Sequence, residues 1–147
     1  MPMIVARLSD MDIEYFQGSM WEKSQLSKVK FLQAQHQSID ADTLYVTALS
    51  YLIHEYKGII PQNIVCIKNI DMDIDPGMFP HTSIIVINNL MEISELFNLI
   101  QDIFFYYSEI YRQLMDIVES NLGLQYLIDK LSDLLGNPIT VTDRNFK

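Results

Sequence analysis

Cysteine is almost absent. The chain carries one thiol, Cys66, in 147 residues, so no internal disulfide can form and no multi-thiolate metal site can assemble. One unpaired cysteine fits a reducing compartment. Glycine and proline number five each, too few for a collagen-like or linker-dominated chain. The glycines do not cluster, which excludes a phosphate-cradling loop. Basic residues are scarce: 10 Lys and Arg stand against 19 Asp and Glu, a net charge of −9. A segment with that balance lacks the footprint needed to grip a phosphate backbone. Long apolar runs are missing too. The longest uncharged stretch, 76–91, is about 16 residues and contains Pro80, His81, Asn88 and Asn89, against roughly 20 apolar residues for a bilayer span. The start, Met1 to Arg7, has no basic segment followed by an apolar one. These absences predict a soluble, cytoplasmic chain that meets no membrane.

What is present is a globular composition, 49% hydrophobic and 20% charged. Over 1–90 strand and helix signals mix. Residues 4–8 read as a short strand or an ordered arm, and 12–21 show no clear period. Val29 and Phe31 alternate with Lys28, Lys30 and Gln33, as in a half-exposed edge strand. Thr43 to Thr47 is rich in β-branched and aromatic residues and follows a turn-like Asp40-Ala41-Asp42. Leu49, Leu52, Ile53 and Tyr56 then fall on one helix face, stopped by Gly58 and Pro61. Ile64-Val65-Cys66-Ile67 and Ile84-Ile85-Val86-Ile87 are unbroken apolar runs, as in strands buried on both faces. A loop over 69–82 separates them, marked by Asp75-Pro76-Gly77 and Pro80. The expected fold is α/β: a small, mostly parallel sheet of three to five strands, followed by a long amphipathic dimerisation helix.

That helix carries the strongest pattern in the chain. With Ile93 as position a of a heptad, the a and d positions run through Ile100, Ile103, Tyr107, Ile110, Leu114 and Ile117 to Leu135. All are apolar or aromatic except Asn121, and a 3.5-residue period sustained over about six heptads means an apolar seam. The c positions Glu95, Asp102, Glu109 and Asp116 form an acidic, solvated stripe. The e positions Phe97, Phe104, Tyr111 and Val118 are apolar as well. A two-stranded coiled coil usually places charge there, so this apolar face is too wide for one facing helix. A helix over 91–120 is roughly 45 Å long, more than a small sheet can cover. The excess predicts a two-fold homodimer, with Ile100, Ile103, Tyr107, Ile110, Leu114 and Ile117 at its interface. The alternative is that the helix folds back on 124–135. The period leaves the direction of the pair open.

Ser120, Asn121 and Gly123 predict a break. A short amphipathic helix follows, capped by Gly136, and Ile139 to Thr142 reads as a strand. A strand without a following partner is incomplete, so 123–147 is expected to be the truncated opening of a further domain. The organisation expected is thus 1–90, a small regulatory domain; 91–122, the long helix; and 123–147, the start of the next domain.

Motifs with chemistry are tested in turn. Asp71-Met72-Asp73-Ile74-Asp75 begins like a calcium loop, but its sixth and twelfth positions hold Pro76 and Thr82 in place of Gly and Glu. His54-Glu55 begins like a zinc-protease helix, yet Gly58 stands where the second His belongs. His36, His54 and His81 show no metal-ligand spacing. Cys66 lies in a buried strand and reads as inert core. The cluster Phe104, Phe105, Tyr106, Tyr107 and Tyr111 reads as packing or interface. No acid–base pair or nucleophile elbow is present, so no catalytic residue, metal or cofactor is expected. If a ligand pocket exists, an open α/β sheet places it at the carboxyl ends of the strands, here near Tyr45 and the loop holding His81.

Taken in order, Asp42-Thr43-Leu44-Tyr45-Val46, Asn63-Ile64-Val65-Cys66-Ile67, Glu95-Leu96-Phe97-Asn98 with Ile103-Phe104, and Gly123-Leu124-Gln125 with Asn137-Pro138-Ile139 and Asp143 resemble the front region of PucR-type transcription regulators. The last group looks like the opening of a GAF- or PAS-like sensor domain. The resemblance covers about 40–147 and implies a ligand-sensing or signal-relaying role. A metabolite would be the ligand, and DNA would be bound only by a C-terminal helix-turn-helix outside this chain. The alternatives are a constitutive dimerisation module without ligand and a small α/β enzyme.

Overall fold

The computed structural model describes residues 7–8, 10–17, 26–33, 38–88, 90–136 and 138–141. Five strands form one sheet: β1 Ile13–Gln17, β2 Lys28–Phe31, β3 Thr43–Ala48, β4 Asn63–Ile67 and β5 Ser83–Ile87. Two α-helices follow, α1 Ile93–Ser120 and α2 Leu124–Leu135. The chain divides into two compact units, Met1–Phe104 and Phe105–Lys147, with the boundary inside α1. The first unit holds the sheet and the opening turns of α1. The second holds the remainder of α1 and α2.

The strand order is β1-β5-β4-β3-β2. β2, β3, β4 and β5 are parallel neighbours, with Phe31, Val46, Val65 and Ile85 in one register row. β1 runs antiparallel to β5. The sheet is therefore mixed, which corrects the expectation of a mostly parallel one. The missing strand lay in 12–21, where no period was visible. Its register with β5 shifts between Ile13 and Tyr15, and such an irregularity breaks the two-residue alternation by which a strand is read. β2, with its two lysines, is the opposite edge, as its alternation predicts.

Every residue of β4 and β5 is buried, and β3 is buried from Thr43 to Thr47. Side chains alternate between faces, and residues in parallel register share one. On one face Tyr45, Ile64, Cys66, Ile84 and Val86 pack with Leu32, Leu49, Leu52, Tyr56 and Phe79. On the other, Phe31 stacks on Phe97 of α1 with ring centroids 4.0 Å apart. In the same unit Leu96 and Ile100 of α1 are fully buried and Ile103 nearly so. Both faces are covered, as the unbroken apolar runs require.

The helix expected over 49–56 forms as a short π-helix, Tyr51–Glu55, closed by the Tyr56 N–H donating to the Tyr51 carbonyl at 2.8 Å. The Tyr56 hydroxyl then donates to the Ile59 carbonyl at 2.8 Å. A Cβ on Gly58 would come within 2.5 Å of that hydroxyl oxygen, so glycine is needed there for close approach. α1 ends with Asn121 at φ 52°, and Gly123 at φ 90° starts α2, where the sequence placed the break. Gly136, at φ 63°, is the left-handed cap of α2. Arg7 and Leu8 are helical, not extended. Ile139, Thr140 and Val141 belong to no strand. Thr142, also expected in that strand, lies outside the described residues.

Ile85, central in β5, has no exposed surface. Ile85→Ala should cost about 2–5 kcal/mol and lower the thermal midpoint by roughly 5–15 °C. Ile59→Ala, at a site 80% exposed, should leave the midpoint within about 1 °C in the same calorimetric scan.

Candidate functional site

Three regions bring polar or apolar groups together: the two ends of the parallel strands, and the outer surface of α1. The strand ends are where a ligand was expected. Tyr45 lies near the start of β3, and His81 lies two residues before β5. Both are therefore at the amino ends of the parallel strands, not the carboxyl ends, which corrects the expected placement. Chain order already places His81 ahead of its strand and Tyr45 within the first half of its own. Tyr45 is fully buried. Its hydroxyl accepts from the Asp40 N–H at 3.0 Å and donates to the Ser38 carbonyl at 3.3 Å, so it closes the 38–42 turn over the core. His81 is exposed, and no hydrogen bond joins it to Tyr45 among the described residues. His36 lies outside the described residues.

The other polar groups at this end tie loops to strands. The Asn63 amide donates to the Ala41 carbonyl at 3.1 Å, and the Thr82 hydroxyl to the Pro61 carbonyl at 3.0 Å. Lys30 pairs with Asp40 at 2.8 Å and Lys28 with Asp42 at 3.3 Å. The hydrogen bond to Asp40 holds the Lys30 ammonium above its ordinary range, and the Ser27 hydroxyl, aided by Lys28, holds Asp42 below its own. Two buried atoms stand apart: Asn63 Oδ1 and Ser83 Oγ, on register partners of β4 and β5, have no hydrogen-bond partner among the described residues.

The carboxyl ends are also internally paired. Asn69 Oδ1 accepts from the Ser50 N–H at 2.9 Å, and its amide donates to Ser50 Oγ at 2.7 Å. Lys68 pairs with Glu14, and this contact, opposed by burial and aided by Asp71 and Asp73, raises the ammonium above its usual range. Asn88 donates from its backbone and its side chain to Asp12, at 2.7 and 3.1 Å. Asp75 is occupied in accepting the Gly77 N–H at 2.9 Å at the start of a 3₁₀ turn, Pro76–Met78. Among the described residues no group of His, Cys, Asp and Glu could hold a metal ion. Cys66 has no exposed surface, and burial pushes its thiol up to about 12; it is not a nucleophile near neutral pH.

On α1 the six residues expected at a dimer interface divide. Ile100 and Ile103 are covered by their own chain, so they belong to the core of the first unit, and their placement at an interface is corrected. The turn that carries them also carries Leu96, and the sheet face beneath needs cover. Tyr107, Ile110, Leu114 and Ile117 are half-buried. The large exposed side chains are Phe105 at 74%, Tyr111 at 66% and Val118 at 56%, with Tyr106 and Met115 also open. Tyr111, Met115 and Val118 lie at i, i+4 and i+7 and so share one face, a spacing visible in the sequence beside the heptad seam. Arg112 donates to Glu109 at 2.6 and 3.0 Å and to Asp116 at 2.9 Å. Gln113 adds a bond to Glu109 at 2.9 Å. The Arg112 guanidinium, then Gln113, pushes the Glu109 carboxyl down to about 2.

No helix among the described residues is long and apolar enough to cross a membrane. Comparison with protein-family models, curated proteins and solved structures finds no match to this chain.

Two outcomes follow. Ser83→Ala removes a buried hydroxyl that has lost water and gained no bond, so it should stabilise the fold by about 1 kcal/mol; a loss of that size in urea melts would show that the hydroxyl holds a partner. A carboxyl whose folded value is depressed contributes above its unfolded value and loses that contribution as pH falls through the folded one. Glu109 should therefore stay ionised in a carbon-detected NMR titration until about pH 2, and Arg112→Ala should return it toward about 4.3.

Proposed function

We propose that this chain is the N-terminal signal-relay module of a PucR-type transcription regulator of the bacterial cytoplasm, and that two copies pair through α1. The observation that supports the reading is the apolar surface left open on α1 beyond Phe104. Phe105, Tyr106, Tyr111, Met115 and Val118 are open, and the three that share one face, Tyr111, Met115 and Val118, expose on the order of 300 Å² per chain, taking ordinary side-chain areas. Patches of that size occur on monomers and can mark contacts. This area falls short of the roughly 800 Å² per partner of a standard stable complex. A pairing through so small a surface is reversible rather than obligate. A helix that is core at one end and contact surface at the other couples the packing of the sheet to the geometry of the pair. A signal acts on it only by favouring one arrangement over another. DNA binding belongs to a helix-turn-helix outside this chain.

A second reading, a constitutive dimerisation module, is favoured by the polar groups at both strand ends, which are largely spent on one another. The two readings part on ligand response, since a metabolite at 100 times its dissociation constant stabilises its receptor by about 2.7 kcal/mol. A metabolite screen by thermal shift with no response supports the constitutive module. The shared claim is tested by sedimentation equilibrium of the 147-residue chain from about 1 to 200 μM. A monomer–dimer equilibrium within that range is the expected result, and a monomer throughout it overturns both readings.

A further inference from the structure

We infer that the connector Asn121-Leu122-Gly123 is a joint with two settings: the bent one of this structure, and one in which α1 and α2 run on as a single helix over 93–135. The inference does not depend on the dimer reading. It concerns the second unit alone, which holds both helices at the joint. The sequence pattern ignores the bend. Counted from Ile93, the heptad puts Ile110 and Ile117 at d and Leu114 at a before the connector, then Leu124 and Leu131 at d and Ile128 at a after it. No residue is added or dropped, so one helix drawn through the connector carries one apolar stripe. Two helices that only ever meet at a turn have no need to share a phase.

The bend is also weakly held. A well-made helix start has a side chain accepting from its free N–H groups and an acid in its first turn, and a well-made end has a cation in its last. α1 has no basic residue in its last turn, and α2 has neither an acidic residue in its first turn nor a side-chain cap. Asp116 and Glu119 instead put negative charge near the negative end of the α1 dipole. The Asn121 N–H reaches back to the Val118 carbonyl at 3.3 Å. Asn121, Leu122 and Gly123 are all exposed, and a Cβ on Gly123 would meet nothing within 4 Å. Packing therefore does not require glycine there; the backbone does, at φ 90°. The bent setting needs positive φ at Asn121 and Gly123, which asparagine and glycine adopt at little cost. Straightening would give helical partners to the N–H and C=O groups that the bend leaves orphaned, and would place a glycine inside a helix, which disfavours it. These opposed terms are of similar size, the condition for two populated settings. The joint thus sets the direction of α2, and a ligand or partner that prefers one setting would shift it.

The test is single-molecule energy transfer on the 147-residue chain, with dyes on Ser108→Cys and Asp133→Cys, both at exposed positions. Cys66 is buried and does not compete for dye. In a continuous helix the two Cα atoms lie about 38 Å apart, and a bend brings them closer. The expected result is two populations, one at the continuous-helix distance, or a single averaged value that substitutions at the joint move. Gly123→Ala strains the bent setting and favours the helix, so it should raise the ratio of straight to bent at least about fivefold. Asn121→Gly does the reverse and should lower that ratio about threefold. Circular dichroism of each variant verifies that α1 and α2 remain helical. A single distance, long or short, that neither substitution moves while helix content is kept overturns the joint. Molecules are observed one at a time, so the outcome is independent of whether copies pair, and a monomeric chain in sedimentation leaves this test intact.

Discussion

The structure depends on a sheet that has no side exposed to water. β4 and β5 are buried along their whole length, so their backbone is satisfied by neighbours and their side chains need cover on both faces. That requirement organises the first unit. The connections carrying Leu49, Leu52, Tyr56 and Phe79 close one face. The opening turns of α1 supply buried side chains to the same unit, with the Phe31–Phe97 stack joining helix to edge strand. Loops are tied down by short polar contacts at both strand ends.

The same helix continues for several turns after its covering task ends at Ile103. Its residues keep their apolar character, because the heptad period does not stop where the sheet does. From Phe105 onward apolar side chains stand in solvent, beside the salt-bridged group of Glu109, Arg112 and Asp116. A helix that is buried at one end and leaves apolar side chains open further along is the basis of the pairing proposed above.

Much of the fold was legible from local composition. The runs 64–67 and 84–87, the edge alternation at Val29 and Phe31, and the break at Asn121 and Gly123 each follow from a residue's own preference or from short-range periodicity. β1 was not legible, because its register irregularity erases alternation and its partner is about 70 residues away in sequence. The candidate site was less legible still. Tyr45 lies within its strand and His81 ahead of the next, which in parallel strands is the amino end; what the sequence did not show is which of their groups are already bonded. Tyr45 turned out to be a core residue with a saturated hydroxyl.

The sequence by itself determined the α/β class, the buried central strands, the long helix and the place where that helix ends, since each is set by preferences acting within a few residues. Tertiary structure alone decided which part of the apolar seam is core and which row remains open. Burial is a property of what lies opposite a side chain, and the heptad repeat is blind to it: Ile103 and Ile117 occupy the same d position in the pattern, yet the first is buried and the second only half-buried.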